Sequence, residues 1–399
     1  MNGSPDRTLY SLQVLRGFAA LMVVCYHYSY LLNPVWPGAD IGSVLFGGGY
    51  SGVDVFFLIS GFIIAHTTAR REHAHPADFA IRRFWRVVPL AQVATLAYYL
   101  LRGVKPGAQV LLRSLLFLPI ANADPPRFGF PVVSQEWTLT YELYFYAVFA
   151  AALVFTHRRR IAAVSLALAA GGLGLQLLLG GAISLYPNAV RLPAGGFGPV
   201  PAEVVGVVEN PILLEFVAGM LLCGLFLRME PRLRSPGRRG LQRALGAVLV
   251  AVFLGSFFFW RDSGNGILAL GAGSFCLVAG ALLIETSLAR PARAPGGLGW
   301  LPAALWLGSA SYSLYLVHFG ITDQLYRRLV IHLGLPRPVG VAGFAILVAA
   351  SVAIASAFHV LLERPFLRVG KAMVDWRRRL AGGGAPGPGA GLQPDRQAP

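Results

Sequence analysis

The sequence is poor in charge, in lysine and in cysteine. Asp, Glu, Lys and Arg make up 13% of its 399 residues, whereas 55% are hydrophobic; soluble domains carry about 25% charged residues. With a mean hydropathy of +0.60, this excludes an ordinary water-soluble domain and predicts an integral membrane protein. Lys105 and Lys371 are the only lysines, so arginine carries almost all of the excess behind the net charge of +16. The arginines fall in short clusters between apolar runs, which is the pattern of membrane topology rather than of a nucleic-acid-binding face, and no nucleic-acid partner is expected. The three cysteines, Cys25, Cys223 and Cys276, each lie inside an apolar run at spacings that match no metal site. They read as small apolar side chains, and no metal is expected. Nor is a signal peptide expected, because Arg16 interrupts the first apolar region and no small-residue cleavage site follows.

What the sequence does have is a series of apolar stretches of about 20 residues, the length that crosses a bilayer. Ten are expected, near 9–32, 50–69, 87–102, 134–156, 161–180, 210–228, 243–260, 265–287, 303–326 and 338–361. The stretch 107–120 is too short and has Arg113 at its centre, so it reads as an interfacial or re-entrant piece. With the N-terminus in the cytoplasm, 24 Lys and Arg fall in cytoplasmic segments, and nine fall outside or in the re-entrant piece. That asymmetry predicts both termini inside and an even number of spans. Residues 1–366 are expected to form one transmembrane domain. Residues 367–399 are expected to form a cytoplasmic, largely disordered tail that is rich in Gly and Pro from 381 onward. The expected class is an all-α, multi-pass protein of the cytoplasmic (inner) membrane, a bundle of about ten transmembrane helices, N-in and C-in.

Several polar residues interrupt these spans. In "LRGFAALMVVCYHY" (15–28) Arg16 and His27 are eleven positions apart. That is within about 20° of three full helical turns and about 16 Å along the axis, so both sit on one stripe of the first helix. A charge at mid-membrane costs roughly 3 kcal/mol, so such a stripe faces the bundle interior or a wet cavity. The second span, "SGVDVFFLISGFIIAH", carries Asp54, a candidate partner for Arg16, His27 or another arginine, and Ser60-Gly61, which permits close helix approach. In "FAIRRFWRVVPL" Arg83 and Arg86 are three apart on one face, and guanidinium pairs suit bidentate phosphate binding. The fourth span opens "SQEWTLTYELYFY", with Glu136 and Trp137 at its external end and Glu142 about two turns deeper. Later, "SASYSLYLVHF" places Tyr312 and His318 in the ninth span, and "LLERPF" (361–366) reads as an Arg-Pro stop closing the last.

Taken in order, "LRGFAALMVVCYH", "SGVDVFFLISGFII", "RRFWRVVPL", "EWTLTYELYFY", "SYSLYLVHF" and "ERPF" resemble the membrane-bound acyltransferase family 3, whose members O-acylate sugars of lipopolysaccharide and exopolysaccharide and some macrolides. The resemblance runs from about residue 9 to 366. It implies a ten-helix core, acyl-CoA as the donor substrate, acetyl-CoA first among the candidates, and a carbohydrate or macrolide hydroxyl as acceptor. By the same resemblance Arg16 and His27 match the family's Arg/His pair of the first helix. Arg83 and Arg86 match the arginine pair associated with the acyl donor, and Glu142 matches the acid after the Trp-Thr-Leu stretch. Some members carry an added esterase-like C-terminal domain, which is not expected here.

The chemistry agrees with these types of residue. A neutral histidine suits removal of a hydroxyl proton, and the oxyanion that develops on a thioester needs a cation or hydrogen-bond donors. His27 is therefore expected as the base and Arg16 as an oxyanion or donor-positioning cation. Glu142 or Asp54 is expected to orient His27 or bind the acceptor, with Ser60, Glu136, Trp137, Tyr312 and His318 in supporting or acceptor-binding positions. The alternative is a transporter or flippase of lipid-linked saccharides without acyl transfer. Such folds often carry internal repeats, and no repeat is visible in this sequence.

Overall fold

The apolar runs become helices, and glycine decides how closely they cross. The computed structural model describes residues 9–35, 38–69, 75–121, 123–190, 200–233, 235–288, 299–334 and 339–380. Among them the regular structure is helical and there is no β-sheet. The helices are α1 Tyr10–Tyr28, α2 Ile41–Phe46, α3 Gly52–Ala69, α4 Pro76–Leu101, α5 Ala108–Leu115, α6 Trp137–Ala151, α7 His157–Gly180, α8 Ala202–Glu209 and α9 Leu214–Leu233. They continue with α10 Arg239–Phe259, α11 Leu270–Ser287, α12 Leu301–Ser309, α13 Ser311–Val317, α14 Asp323–His332, α15 Gly340–Phe358 and α16 Arg364–Leu380.

Local chemistry sets several boundaries. Pro76 occupies the first turn of α4, where its missing N–H costs nothing, and the His75 ring accepts from Ala77 N at 3.1 Å. Asn210 separates α8 from α9: it leaves the helical conformation, Pro211 follows, and its side chain accepts from Ile212 N at 3.0 Å. At the crossing of α3 with α9, a Cβ on Gly61 would collide with the Phe216 carbonyl, and one on Gly219 with that of Leu58. The two backbones therefore touch, which fixes the depth of the neighbouring Ser60.

Nine helical segments among the described residues are long and apolar enough to cross a membrane, the last being Gly340–Leu380. The difference from the ten expected spans lies at 303–326. There the chain is broken into α12, α13, a π-helical turn His318–Thr322 and α14, none of which is long enough alone. Gly320 in that turn lies against Tyr98 near the end of α4, where a Cβ would come within 3.1 Å of the ring. Stretch 107–120 holds only the eight-residue α5, whose Arg113 pairs with Glu203 at 2.7 Å.

At the C-terminus the helix does not stop at Arg364-Pro365. A second π-helical turn, His359–Glu363, leads into α16, and the segment from Gly340 to Leu380 is 41 residues. At 1.5 Å per residue that is about 60 Å, twice the roughly 30 Å hydrocarbon core. Residues 367–380 are likewise helical rather than disordered, because they pack along the start of α4. Arg377 and Arg378 bind Asp78 at 2.5 and 2.8 Å, and Gly370 lies against Trp85. Residues 381–399 lie outside the described residues.

Candidate active site

Four helices carry polar residues to one level. Arg16 lies about 9 Å along α1, and Arg83 and Arg86 lie about 10 and 15 Å along α4. Ser60 and Glu142 lie about 14 Å from the ends of α3 and α6. Because α1 and α4 run opposite to α3 and α6, these positions meet, and all five line a single cavity of about 360 Å³. Its lining includes Leu9, His66 and Thr67 at the end where α1 begins, and Phe56 and Tyr315 at its deep end.

Three guanidinium groups thus face one carboxylate. Glu142 accepts from Ser60 Oγ at 3.3 Å and from the Tyr146 hydroxyl. The Arg83 guanidinium lies 5.4 Å from the ring centroids of both Phe79 and Tyr146, within cation–π range. Arg16 is 7% exposed and makes no hydrogen bond or ion pair with a described residue. Its electrostatic neighbours are Arg86, Glu363 and Glu142. The two carboxylates help to offset the burial of a charge that an isolated helix would not tolerate. Tyr312 lines the same cavity and donates from its hydroxyl to Val87 O at 2.8 Å, tying α13 to α4.

His27 does not line this cavity. Its Nδ1 lies 2.8 Å from Val23 O and 3.2 Å from Nε2 of His318, and the two rings are 5.0 Å apart. Tyr315 stands between the regions: its ring lines the cavity and is 6.2 Å from the ring of His318. Its hydroxyl is held by Thr138 at 3.0 Å and by Gln135 O at 3.1 Å.

The carboxylates expected beside His27 are elsewhere. Asp54 is fully buried, accepts from Asn265 Nδ2 at 2.7 Å and from Gly266 N at 2.8 Å, and is not part of the cavity. The loop that supplies both donors lies 211 and 212 residues away, beyond the reach of sequence spacing. Glu142 faces the arginines. Glu136 is buried, accepts from Thr95 Oγ1 at 2.8 and 2.9 Å, and lines with Trp137 a second pocket of about 10 Å³, the size of one water.

Some site residues carry no signal of their own in the sequence. Gln13 lines the cavity and donates to Leu305 O at 3.0 Å and Ser309 Oγ at 2.9 Å. In the "ERPF" motif, read as a helix stop, Glu363 is buried in a polar cluster. Glu363 accepts from Ser313 Oγ at 2.6 Å and from His359 Nδ1 at 2.9 Å, and Arg364 lies 4.9 Å from the Trp306 ring centroid. His359 four residues before Glu363 on a helix was the available clue.

The chain is 34% identical over 347 residues to the exopolysaccharide production protein ExoZ of Rhizobium meliloti (strain 1021), spanning 84% of this chain and 93% of that protein. It is 27% identical over 378 residues to the acyltransferase MdmB of Streptomyces mycarofaciens, spanning 90% and 92%. No solved structure matches it. The acyltransferase-domain pattern of family 3 matches residues 9–360, which includes α1 with its Arg16 and His27, the arginines of α4 and the whole of the cavity. On that extent of agreement the chain belongs to acyltransferase family 3.

Proposed function

We propose that this protein is an acyl-CoA-dependent O-acyltransferase of the cytoplasmic membrane, N-in and C-in, acting on a hydroxyl of a sugar-containing acceptor. The observation that carries the reading is the cavity that Arg16, Arg83 and Arg86 line together with a single carboxylate, Glu142. Three guanidinium groups against one carboxylate favour an anionic ligand, and planar guanidinium groups match phosphate oxygens in pairs. Acyl-CoA carries its phosphates at one end and its thioester at the other. With the phosphates at Arg83 and Arg86, the thioester arm points along α1 toward His27, about 16 Å beyond Arg16. The broken helix from 301 to 332, about 48 Å long, supplies the tenth crossing.

In this reading His27 Nε2 takes the proton of the acceptor hydroxyl as its oxygen attacks the thioester carbonyl carbon. Arg16, which lines the cavity with Arg83 and Arg86 about 16 Å short of His27, positions the anionic arm of the donor rather than the reacting carbonyl. The carbon–sulfur bond then breaks, and the leaving thiolate of CoA takes up the proton held by His27. The products are the acyl ester and free CoA. Glu142, held by Ser60 and Tyr146, keeps the arginine side chains spread when no donor is bound. The resemblance to an exopolysaccharide production protein supports an exopolysaccharide as acceptor, and O-antigen and a macrolide are the other acceptor classes that the sequence motifs imply.

The test is transfer from radiolabelled acetyl-CoA by protein purified into lipid nanodiscs. The double variant Arg83→Ala, Arg86→Ala should raise the donor KM at least tenfold. Arg86→Lys, which keeps charge but loses the fork, should raise it less. Donor kinetics unchanged in the double variant would remove this pair from the donor site. Movement of a lipid-linked saccharide with no acyl transfer would replace the enzyme with a transporter.

A further inference from the structure

We infer that His318 is the positioning residue for His27, accepting a hydrogen bond from His27 Nδ1–H and so fixing the tautomer whose bare Nε2 serves as base. The inference rests on the reading of His27 as the base and deepens it.

The argument follows from which atoms can only accept. A carbonyl oxygen cannot donate, so each ring nitrogen facing one carries the proton. His27 Nδ1 faces Val23 O at 2.8 Å, and His318 Nδ1 faces Leu314 O at 3.0 Å. Both neutral rings are therefore protonated on Nδ1, each clamped to the carbonyl four residues earlier on its own helix. That leaves His318 Nε2 as a lone pair, and it lies 3.2 Å from His27 Nδ1. The His27 N–H is thus shared between Val23 O and His318 Nε2, and the one ring nitrogen of the pair left without a partner among the described residues is His27 Nε2.

The two histidines differ in how they are held. His318 is 0% exposed and opens the π-helical turn His318–Thr322, a wide turn of the kind found at functional sites. The Tyr28 hydroxyl of α1 donates to its backbone carbonyl, so the helix that carries His27 also anchors His318. His27 is half-buried, packed between Tyr26 and Phe319. A buried, doubly tethered acceptor behind a more open ring is the arrangement in which a third group orients a catalytic base. No carboxylate takes that place, since Asp54 and Glu142 have other partners. When Nε2 gains a proton during transfer, the bond from Nδ1–H to the His318 lone pair becomes charge-assisted and stronger.

The test uses full-length protein in nanodiscs with ¹⁵N-labelled histidine rings, read by NMR, alongside acyl transfer. In the wild type His27 should show a single tautomer protonated on Nδ1; a ring protonated on Nε2 would overturn the inference without any variant. His318→Phe keeps a ring and loses the acceptor. It should mix the His27 tautomers and lower kcat at least tenfold, within the roughly 10²–10⁴ that general-base catalysis supplies, with the donor KM unchanged. His318→Gln, which returns an acceptor oxygen, should restore part of kcat. An unmixed tautomer and unchanged kcat in His318→Phe would overturn the positioning role even if His27→Ala is inactive. Failure of the base reading itself would show differently, as near-normal turnover by His27→Gln, while the tautomer measurement needs no turnover.

Discussion

Arg16 and Asp54 are both charges buried among apolar helices, and the molecule treats them in opposite ways. Asp54 has its donors: Asn265 and Gly266 reach its oxygens at 2.7 and 2.8 Å, and it does not line the cavity. Glu215, also fully buried, packs beside it. Arg16 has no hydrogen bond to a described residue and faces about 360 Å³ of space with two further arginines. A buried polar group left without a partner costs free energy that folding does not recover. Where a protein keeps such a group beside a cavity, a ligand is the partner that offsets the cost. Where the partners are built in, the group holds the fold. The two sites therefore separate along the line between activity and stability, and substitutions should move one without the other.

The largest effect is expected on the open side. His27→Gln keeps a hydrogen-bonding side chain but cannot hold the transferred proton, so acyl transfer should fall by roughly 10²–10⁴ with the melting temperature unchanged. Arg16→Met should likewise abolish transfer while leaving the melting temperature equal or higher, because it removes a buried charge that has no hydrogen-bonding partner. Thermal unfolding and labelled-donor assays on the same preparations decide both. A strongly destabilised Arg16→Met protein would place Arg16 in the fold rather than at the ligand.

On the closed side the forecast reverses. Asp54→Ala strands the Gly266 N–H and leaves the Asn265 amide only its 3.4 Å bond to Tyr50 O, a buried donor left unpaired costing about 1–3 kcal/mol. Stability should drop by about 2 kcal/mol or more. Well below its melting temperature, the surviving folded protein should turn over at close to the wild-type rate with an unchanged donor KM. A stable but inactive Asp54→Ala protein would move Asp54 into the catalytic machinery and erase the contrast.

How much of this was legible in the sequence follows from range. The long crossing helices were, since they are apolar runs with local signals such as Pro76 behind His75. The stripe carrying Arg16 and His27 follows from the helical period. Its division into two environments does not, because the period gives direction and the neighbours differ at depths about 16 Å apart. The pairing of His27 with His318 joins residues 291 positions apart, and nothing in either local stretch names the other. The broken ninth span escaped because hydropathy is blind to a π turn: residues 311–322 carry no Asp, Glu, Lys or Arg through it. α16 falls in the expected tail because Arg364-Pro365 reads as a stop, yet Asp78 on α4 binds two of its arginines. The convergence of Ser60 and Glu142 on Arg83 and Arg86 follows from neither spacing nor motif, since they lie on three separate helices and Glu142 was expected beside His27.

The smallest expected effect tests whether the open site depends on its surroundings. Trp85 lies between Arg83 and Arg86 in sequence, and α16 packs against it. Gly370 lies against its Cβ, Met373 Sδ is 2.9 Å from its indole nitrogen, and the Phe366 ring is 6.2 Å away. A Cβ on Gly370 would come within 2.7 Å of Trp85 Cβ, too close for either backbone to stay in place, so Gly370→Ala must push α16 and α4 apart. No polar atom of the cavity is altered. If α16 braces the arginine pair, the donor KM should rise a few-fold with kcat nearly constant, and the melting temperature should fall slightly, overpacking costing about 1–3 kcal/mol. A lowered melting temperature with an unchanged donor KM would show that α4 holds its arginines unaided and that the open site ends at the cavity wall.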